Sequence, residues 1–202
     1  MRIGILGGTF NPIHNGHLLM AEYVRETMKL EQVWIMPSRR PPHKRHPVFV
    51  TDEERCEMIK LAIQDNAAFV FSDMEMAREG ITYTADTLEQ LREMYPEHEF
   101  YFIMGADSFV ELSTWYQPEK IFSLAEIVVV NRQGTTRHQF MEYRDLYEKK
   151  YGKEAFLVEM PFIGISSTNI RLRAATGLTV RYQVPDVVME YMEKKGLYRP
   201  EE

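Results

Sequence analysis

The amino-acid sequence predicts an α/β protein with a doubly wound parallel sheet and helices on both faces. Short apolar runs alternate with amphipathic helical patterns along nearly the whole chain, which is typical of strand–helix–strand units. Two runs, residues 100–104 and 127–130, are continuously apolar, as strands buried on both faces are. Candidate ligand-binding residues follow several predicted strands, at the edge where such sheets bind ligands. These observations indicate a Rossmann-like architecture.

The predicted strands are short apolar runs, several of them bounded by Gly or Pro. They cover residues 2–6, 32–36, 69–72, 100–104, 127–130 and 156–160. The predicted helices cover residues 16–28, 51–64, 84–95, 139–151, 166–175 and 186–195. Thr51 and Glu54 form a capping box at the start of the second helix, and Pro96 ends the third. In the first helix we expect four side chains to point largely inward: Leu18, Leu19, Ala21 and Tyr23.

Composition limits the class of protein. A chain of 202 residues is long enough for one domain, in which helices from about 166 to 197 form a small subdomain. The net charge of −6 argues against a nucleic-acid-binding surface. Cys56 is the only cysteine, which excludes an intrachain disulfide and favours a reducing compartment, hence the cytoplasm. No stretch approaches the ~18 apolar residues of a membrane span, so we expect no membrane partner, and we expect no signal peptide.

The most informative segment follows the first strand. Gly7 and Gly8 form a turn that lets a ligand approach the backbone closely, and Thr9 and Phe10 follow. His14 and His17 are three positions apart at the start of a helix, so they share one face and can point at one group. Glycine turn, imidazoles and free helix N–H groups make a cradle for a polyphosphate. The predicted substrate is a nucleotide.

Two further segments carry groups that suit phosphates. The loop at 38–48 holds a dense set of cationic side chains: Arg39, Arg40, His43, Lys44, Arg45 and His46. Near the C-terminus, Ser166, Ser167 and Thr168 open a helix one turn before Arg171. The alternatives are a solvated loop and ordinary helix capping.

Four motifs give the chain a family resemblance. They are His14-Asn15-Gly16-His17, Pro41-Pro42-His43-Lys44, Gly105-Ala106-Asp107-Ser108-Phe109 and Ile165-Ser166-Ser167-Thr168-Asn169-Ile170-Arg171. In this order they resemble the HxGH nucleotidylyltransferase superfamily, and within it the bacterial nicotinate-nucleotide adenylyltransferases. The resemblance covers nearly the whole chain.

The resemblance implies roles for individual residues. The implied catalytic residues are His14, His17, Lys44 and Arg171. The implied ATP-binding residues are Gly7, Gly8, Thr9, Phe10, Gly105, Asp107, Ser166, Ser167 and Thr168. The implied acceptor-binding residues are Tyr83, Thr84, Trp115 and Tyr116. For several of these a structural alternative stays open. His14 and His17 cap a helix or lie in the core, and Gly105 forms only a strand-end turn. Asp107 caps a helix at 108–112, Thr84 caps its own helix, or Trp115 is a core residue.

The reaction implied by the resemblance is transfer of AMP from ATP to nicotinate mononucleotide, giving nicotinate adenine dinucleotide and pyrophosphate in NAD biosynthesis. The attacking phosphate is already ionised, so the reaction needs no general base, and direct in-line attack without a covalent enzyme intermediate is expected. Mg²⁺ is expected with ATP, held mainly by its phosphates and not by protein ligands. Other phosphate acceptors, an aminoacyl-tRNA synthetase-like module and a non-catalytic nucleotide sensor are the alternatives. The oligomeric state is open, with a homodimer as one option.

Overall fold

The computed structural model of the chain describes residues 1–39, 50–131 and 137–199. In this part of the chain six strands form one all-parallel sheet. The strands are β1 (Arg2–Gly8), β2 (Gln32–Pro37), β3 (Phe69–Phe71), β4 (Glu99–Gly105), β5 (Glu126–Asn131) and β6 (Ala155–Glu159). The predicted α/β class with a parallel sheet is confirmed.

The strand order places β1 at the centre of the sheet. The order is β3-β2-β1-β4-β5-β6, so the chain first builds outward from β1 on one side and then returns to build on the other. In β1, Ile5 is paired with Trp34 of β2 and with Phe102 of β4. The order therefore reverses between β1 and β4. Sheets of this kind bind ligands at the carboxyl ends of the strands beside such a reversal.

Eight α-helices lie between and after the strands in the described residues. They are α1 (Asn15–Thr27), α2 (Asp52–Ile63), α3 (Thr84–Met94), α4 (Ala106–Val110), α5 (Pro118–Leu124), α6 (Arg137–Tyr151), α7 (Ser167–Ala175) and α8 (Asp186–Lys195). The predicted capping box of α2 is present: the Thr51 hydroxyl accepts from the Glu54 N–H, and the Glu54 carboxylate accepts from the Thr51 N–H. Helix α5 was not predicted, because its seven residues are too few to show a helical repeat.

Two hydrophobic clusters cover opposite faces of the sheet, as strand geometry requires. Ile3 and Ile5 of β1 belong to the cluster under α3–α6, whereas Leu6 belongs to the cluster under α1, α2 and α8. Helix α1 buries Gly16, Met20, Ala21 and Val24. The expectation for Leu19 is wrong, since this side chain is 40% exposed. The sequence run Leu18–Met20 is apolar throughout and does not define which residues face the sheet.

The C-terminal helices share the core of the sheet. Ile170 of α7 and Val188 of α8 belong to the same cluster as Leu6. The organisation as one domain with a small C-terminal subdomain stays a prediction. None of the helices among the described residues has the length and apolar character needed to cross a membrane.

Candidate functional site

Two histidine rings lie at the start of α1. His14 is the N-terminal cap residue of α1 and is 2% exposed, while His17 is half-buried. Their rings are stacked with centroids 3.6 Å apart and planes 19° from parallel. The His14 backbone N–H donates to His17 Nδ1 at 3.3 Å. In the neutral ring the proton then sits on Nε2, so His17 can donate from that atom to a ligand.

Tight packing supports His17 from the side of β1. The Phe10 ring packs against it in a T-shaped arrangement, with centroids 4.9 Å apart and planes at 80°. A Cβ atom on Gly8 would be 2.9 Å from Phe10 Cζ, so glycine is required for this approach. The Phe10 side chain is buried, at 2% exposed, and packs against His17. Any contact of Phe10 with ATP, the role that the resemblance implies, would therefore use its backbone. We call residues 9–14 the β1–α1 turn.

The N-terminus of α7 lies against this turn. Arg171 Nη1 donates to the Asn11 carbonyl at 2.8 Å, and the Ser167 hydroxyl donates to the Pro12 carbonyl at 2.9 Å. Arg171 Nη2 also donates to the Thr168 hydroxyl at 3.3 Å. Ser166 caps α7 by accepting from the Asn169 N–H, as the capping interpretation expected. The fold thus brings Arg171 into contact with the turn that leads to the histidines, although Arg171 and Asn11 are 160 positions apart in sequence.

A buried arginine that sequence reasoning missed holds the other side of the turn. Arg55 of α2 is 3% exposed, and its Nη1 donates to the Thr9 carbonyl at 2.6 Å and the Ser38 carbonyl at 3.0 Å. Its Nη2 donates to Asp52 at 2.6 Å. The i, i+3 spacing of Asp52 and Arg55 predicts only an ordinary surface pair, so the sequence holds no signal for this role.

The basic loop is only partly described. Arg39 donates to the Arg78 carbonyl at 2.8 Å and lies 3.7 Å from Asp52, so it connects neighbouring segments. The other cationic side chains of the loop, Lys44 among them, lie outside the described residues. The roles predicted for Arg40 and Lys44 stay predictions.

A cavity of about 400 Å³ opens beside the β1–α1 turn. It is lined by all four predicted acceptor-binding residues, Tyr83, Thr84, Trp115 and Tyr116, and by Gly7, Gly8 and Thr9. The Tyr83 and Tyr116 rings are 4.5 Å apart, and the Trp115 ring meets Phe102 edge-on at 6.3 Å. Aromatic side chains on the wall of a cavity suit a flat ring, and the hydroxyl and carboxyl groups that also line this cavity can orient it. Thr84 is the first residue of α3 and Tyr83 is the cap, so the alternative of Thr84 as helix cap is wrong.

A buried carboxyl group, also missed from sequence, lines the same cavity. Glu75 is 9% exposed and accepts a hydrogen bond from the Thr87 hydroxyl at 2.8 Å. Arg78 in turn donates to the Thr87 oxygen. Burial raises the pKa of Glu75, and the bond from Thr87 opposes that shift. Glu75 and its partners tie the segment before α3 to the helix itself.

Gly105 and Asp107 mark the end of β4, on the other side of β1 from β2. Gly105 caps α4, and a Cβ built on it meets no atom within 4 Å. Asp107 is an exposed residue in the first turn of α4, so the alternative of Asp107 as helix cap is wrong. Neither is among the residues described as lining the cavity. Among the described residues, no three His, Cys, Asp or Glu side chains come together as a metal site.

Comparison with known proteins agrees with this geometry. The model of the cytidylyltransferase-like family matches residues 5–173. A Desulfitobacterium hafniense (strain DSM 10664 / DCB-2) protein named "probable nicotinate-nucleotide adenylyltransferase" is 42% identical over 98% of this chain and 96% of its own length. A protein of the same name from Exiguobacterium sibiricum is 41% identical over 98% and 99%.

Solved structures share the fold. The Plasmodium falciparum nicotinic acid mononucleotide adenylyltransferase complexed with NaAD matches with a TM-score of 0.79 and 21% identity, over 98% of this chain and 97% of that one. At that identity the likeness supports the fold alone. With the family model and relatives at 41–42% identity over almost the whole chain, the protein belongs to the cytidylyltransferase-like family, among the nicotinate-nucleotide adenylyltransferases.

Proposed function

We propose that this chain transfers AMP from ATP to nicotinate mononucleotide, forming nicotinate adenine dinucleotide and pyrophosphate in NAD biosynthesis. One observation carries the proposal beyond family membership. Residues 7–9 line the aromatic cavity, and the turn that continues from them presents the stacked His14 and His17. The sites proposed for a flat acceptor ring and for phosphates therefore share one short segment. Adenylyl transfer requires this adjacency, because the acceptor phosphate must reach the α-phosphorus of ATP.

The ATP side of the site uses donors that the fold holds ready. His17 Nε2, the N-terminus of α1 and the guanidinium of Arg171 would stabilise charge as pyrophosphate departs. Ser167 and Thr168 would orient Arg171 and the first turn of α7 against the phosphates, and Lys44 would add a point charge from the basic loop. The open space at Gly105 would allow adenosine to lie against the backbone, with Asp107 near its ribose.

The acceptor side uses the aromatic cavity. Trp115, Tyr83 and Tyr116 would hold the pyridinium ring by stacking, to which its positive charge adds a cation–π attraction. The free N–H groups at the start of α3, where Thr84 lies, would face the ring's carboxylate.

In the transfer itself, an acceptor phosphate oxygen forms a bond to the α-phosphorus while the bond to the bridging oxygen of pyrophosphate breaks. The electron pair leaves with pyrophosphate, and no proton needs to be removed from the ionised nucleophile. Positioning and charge stabilisation then supply the catalysis. Mg²⁺ would enter with ATP, bound by the phosphate oxygens, and would neutralise the charge that develops on them.

A cytoplasmic location is proposed because Cys56 is the single cysteine of the chain. A homodimer is our working expectation for the oligomeric state, and neither nucleic acid nor membrane is expected as a partner.

Replacement of His17 tests the phosphate role. His17→Ala is expected to lower kcat by about 10²–10³, the usual cost of one preorganised donor. The matched control is His138→Ala, on an exposed face of α6 beside Glu142, which should leave kcat unchanged. Turnover of His17→Ala near the wild-type rate would contradict the assignment. Tight ATP binding by the wild type without turnover would favour the nucleotide sensor instead.

A further inference from the structure

A tyrosine near the end of the chain reaches the catalytic turn. Tyr198 follows α8 and is 6% exposed, and its hydroxyl donates to Asn11 Oδ1 at 2.6 Å. Asn11 is itself 8% exposed, so both partners of this hydrogen bond are buried. The two residues are 187 positions apart in sequence. A short bond between buried groups at this separation fixes their relative position.

The end of α8 determines where this ring lies. Gly196 ends the helix in the left-handed region at φ 64°, and the Leu197 N–H donates to the Met192 carbonyl at 2.9 Å. Tyr198 is left-handed as well, at φ 62°. A non-glycine residue keeps this conformation only where its surroundings enforce it. Here the hydrophobic cluster that contains Leu197 and Tyr198 does so.

Two backbone carbonyls of the same C-terminal region accept hydrogen bonds from Asn15, the residue directly after the turn. The Asn15 N–H donates to the Gln183 carbonyl at 2.9 Å, and Asn15 Nδ2 donates to the Tyr182 carbonyl at 2.8 Å. Since Arg171 also donates to the Asn11 carbonyl, hydrogen bonds hold residues 11–15 at both ends. His14 lies between these hydrogen bonds, and its ring is stacked on His17.

We propose that Tyr198 is a positioning residue for adenylyl transfer: its bond to the Asn11 side chain fixes the β1–α1 turn, and thereby the stacked histidines. Only Pro12 and Ile13 separate Asn11 from His14, and Ile13 is fully buried, so little slack remains to absorb a shift of Asn11. Misplacement of a catalytic group by a fraction of an ångström reduces turnover while substrates still bind. Burial also raises the pKa of Tyr198, so the hydroxyl keeps its proton and stays a donor across the working pH range.

The inference rests on the proposed function, so its test includes a readout independent of turnover. Tyr198→Phe removes the hydroxyl alone, Asn11→Ala removes the acceptor, and a third variant combines both changes. Tyr191→Phe is the matched control, because Tyr191 lies on α8 and no contact with the β1–α1 turn is seen for it among the described residues. Each variant is assayed for kcat and for both KM values well below its melting temperature. ¹H–¹³C spectra of the histidine rings report on the stacked pair without substrate.

For Tyr198→Phe we expect kcat to fall about tenfold, with both KM values within about twofold of wild type. The ring signals of His14 and His17 should shift, and the combined variant should fall no further than the more impaired single variant. Unchanged kcat and unchanged ring signals, with only a lower melting temperature, would overturn the proposal, as would effects that multiply in the combined variant. If Tyr198→Phe does not fold, Asn11→Ala alone gives the same decision. Wild-type protein that makes no dinucleotide would refute the proposed function, while the ring signals would still decide the positioning role.

Discussion

Replacing the buried Arg55 by Met tests how the β1–α1 turn is held in place. The substitution keeps an unbranched chain of similar length but removes the bonds from Nη1 to the Thr9 and Ser38 carbonyls, at 2.6 and 3.0 Å. A hydrogen bond involving a charged group contributes about 1.5–3 kcal/mol, and water near the turn will hydrate part of the freed carbonyls. The ion pair between Arg55 and Asp52 contributes little to the free energy of unfolding, because the Asp52 side chain is 37% exposed and solvent screens its charge. We therefore expect a loss of about 3 kcal/mol in the free energy of unfolding.

The assay is thermal and urea unfolding of the purified variant beside the wild type. For a chain of this size, 1 kcal/mol moves the melting temperature by about 2–4 °C, so Arg55→Met should melt about 6–12 °C lower. The matched control is Arg25→Met, which breaks a pair with Glu22 on the surface of α1 and should cost less than about 1 kcal/mol. Equal melting temperatures for Arg55→Met and the control would refute the reasoning.

Three further changes probe the site. The methyl group that Gly105→Ala adds has no atom within 4 Å in the free protein, so the free energy of unfolding should not change. The KM for ATP should rise at least tenfold, because the methyl group would occupy the space proposed for adenosine. An unchanged KM would contradict binding of adenosine at this position. Trp115→Ala should raise the KM for nicotinate mononucleotide far more than the KM for ATP. The control is Trp34→Ala, which should change neither KM because Trp34 packs against Tyr95 and does not line the cavity. Equal rises of both KM values in Trp115→Ala would contradict ring stacking. The raised pKa of Glu75 means that the folded protein keeps a proton that the unfolded chain loses above pH 4.5, so the contribution of Glu75 to wild-type stability falls as pH rises from 4.5 through the pKa of the folded state. Relative to wild type, Glu75→Gln should therefore gain stability as pH rises above 4.5, and a difference independent of pH would contradict this.

Much of the fold was predictable because its signals are local. Residues 100–104 and 127–130 are apolar at every position, as buried parallel strands require, and both lie within strands β4 and β5. The capping box joins Thr51 and Glu54, which are only three positions apart, so both partners can be recognised from the local sequence. Helix α5 escaped prediction because it is short and its start depends on Gln117 at φ 50°, a conformation that the sequence does not specify.

The site was predictable where its residues stand in compact motifs. The family resemblance named some of the residues that line the aromatic cavity, Tyr83 and Trp115 among them, and their roles stay predictions. It could not identify the residues that hold these motifs in place. Arg55, Glu75 and Tyr198 act through partners 12 to 187 positions away, and each residue type is common on helix surfaces or in cores. Only the folded chain brings them to the turn and the cavity.

The most direct test of adenylyl transfer is pyrophosphate release from ATP and Mg²⁺ with three acceptors supplied separately: nicotinate mononucleotide, nicotinamide mononucleotide and phosphopantetheine. The account predicts strong turnover with nicotinate mononucleotide and a dinucleotide product in equal amount to pyrophosphate. Turnover with phosphopantetheine, or with none of the three while ATP still binds, would contradict it.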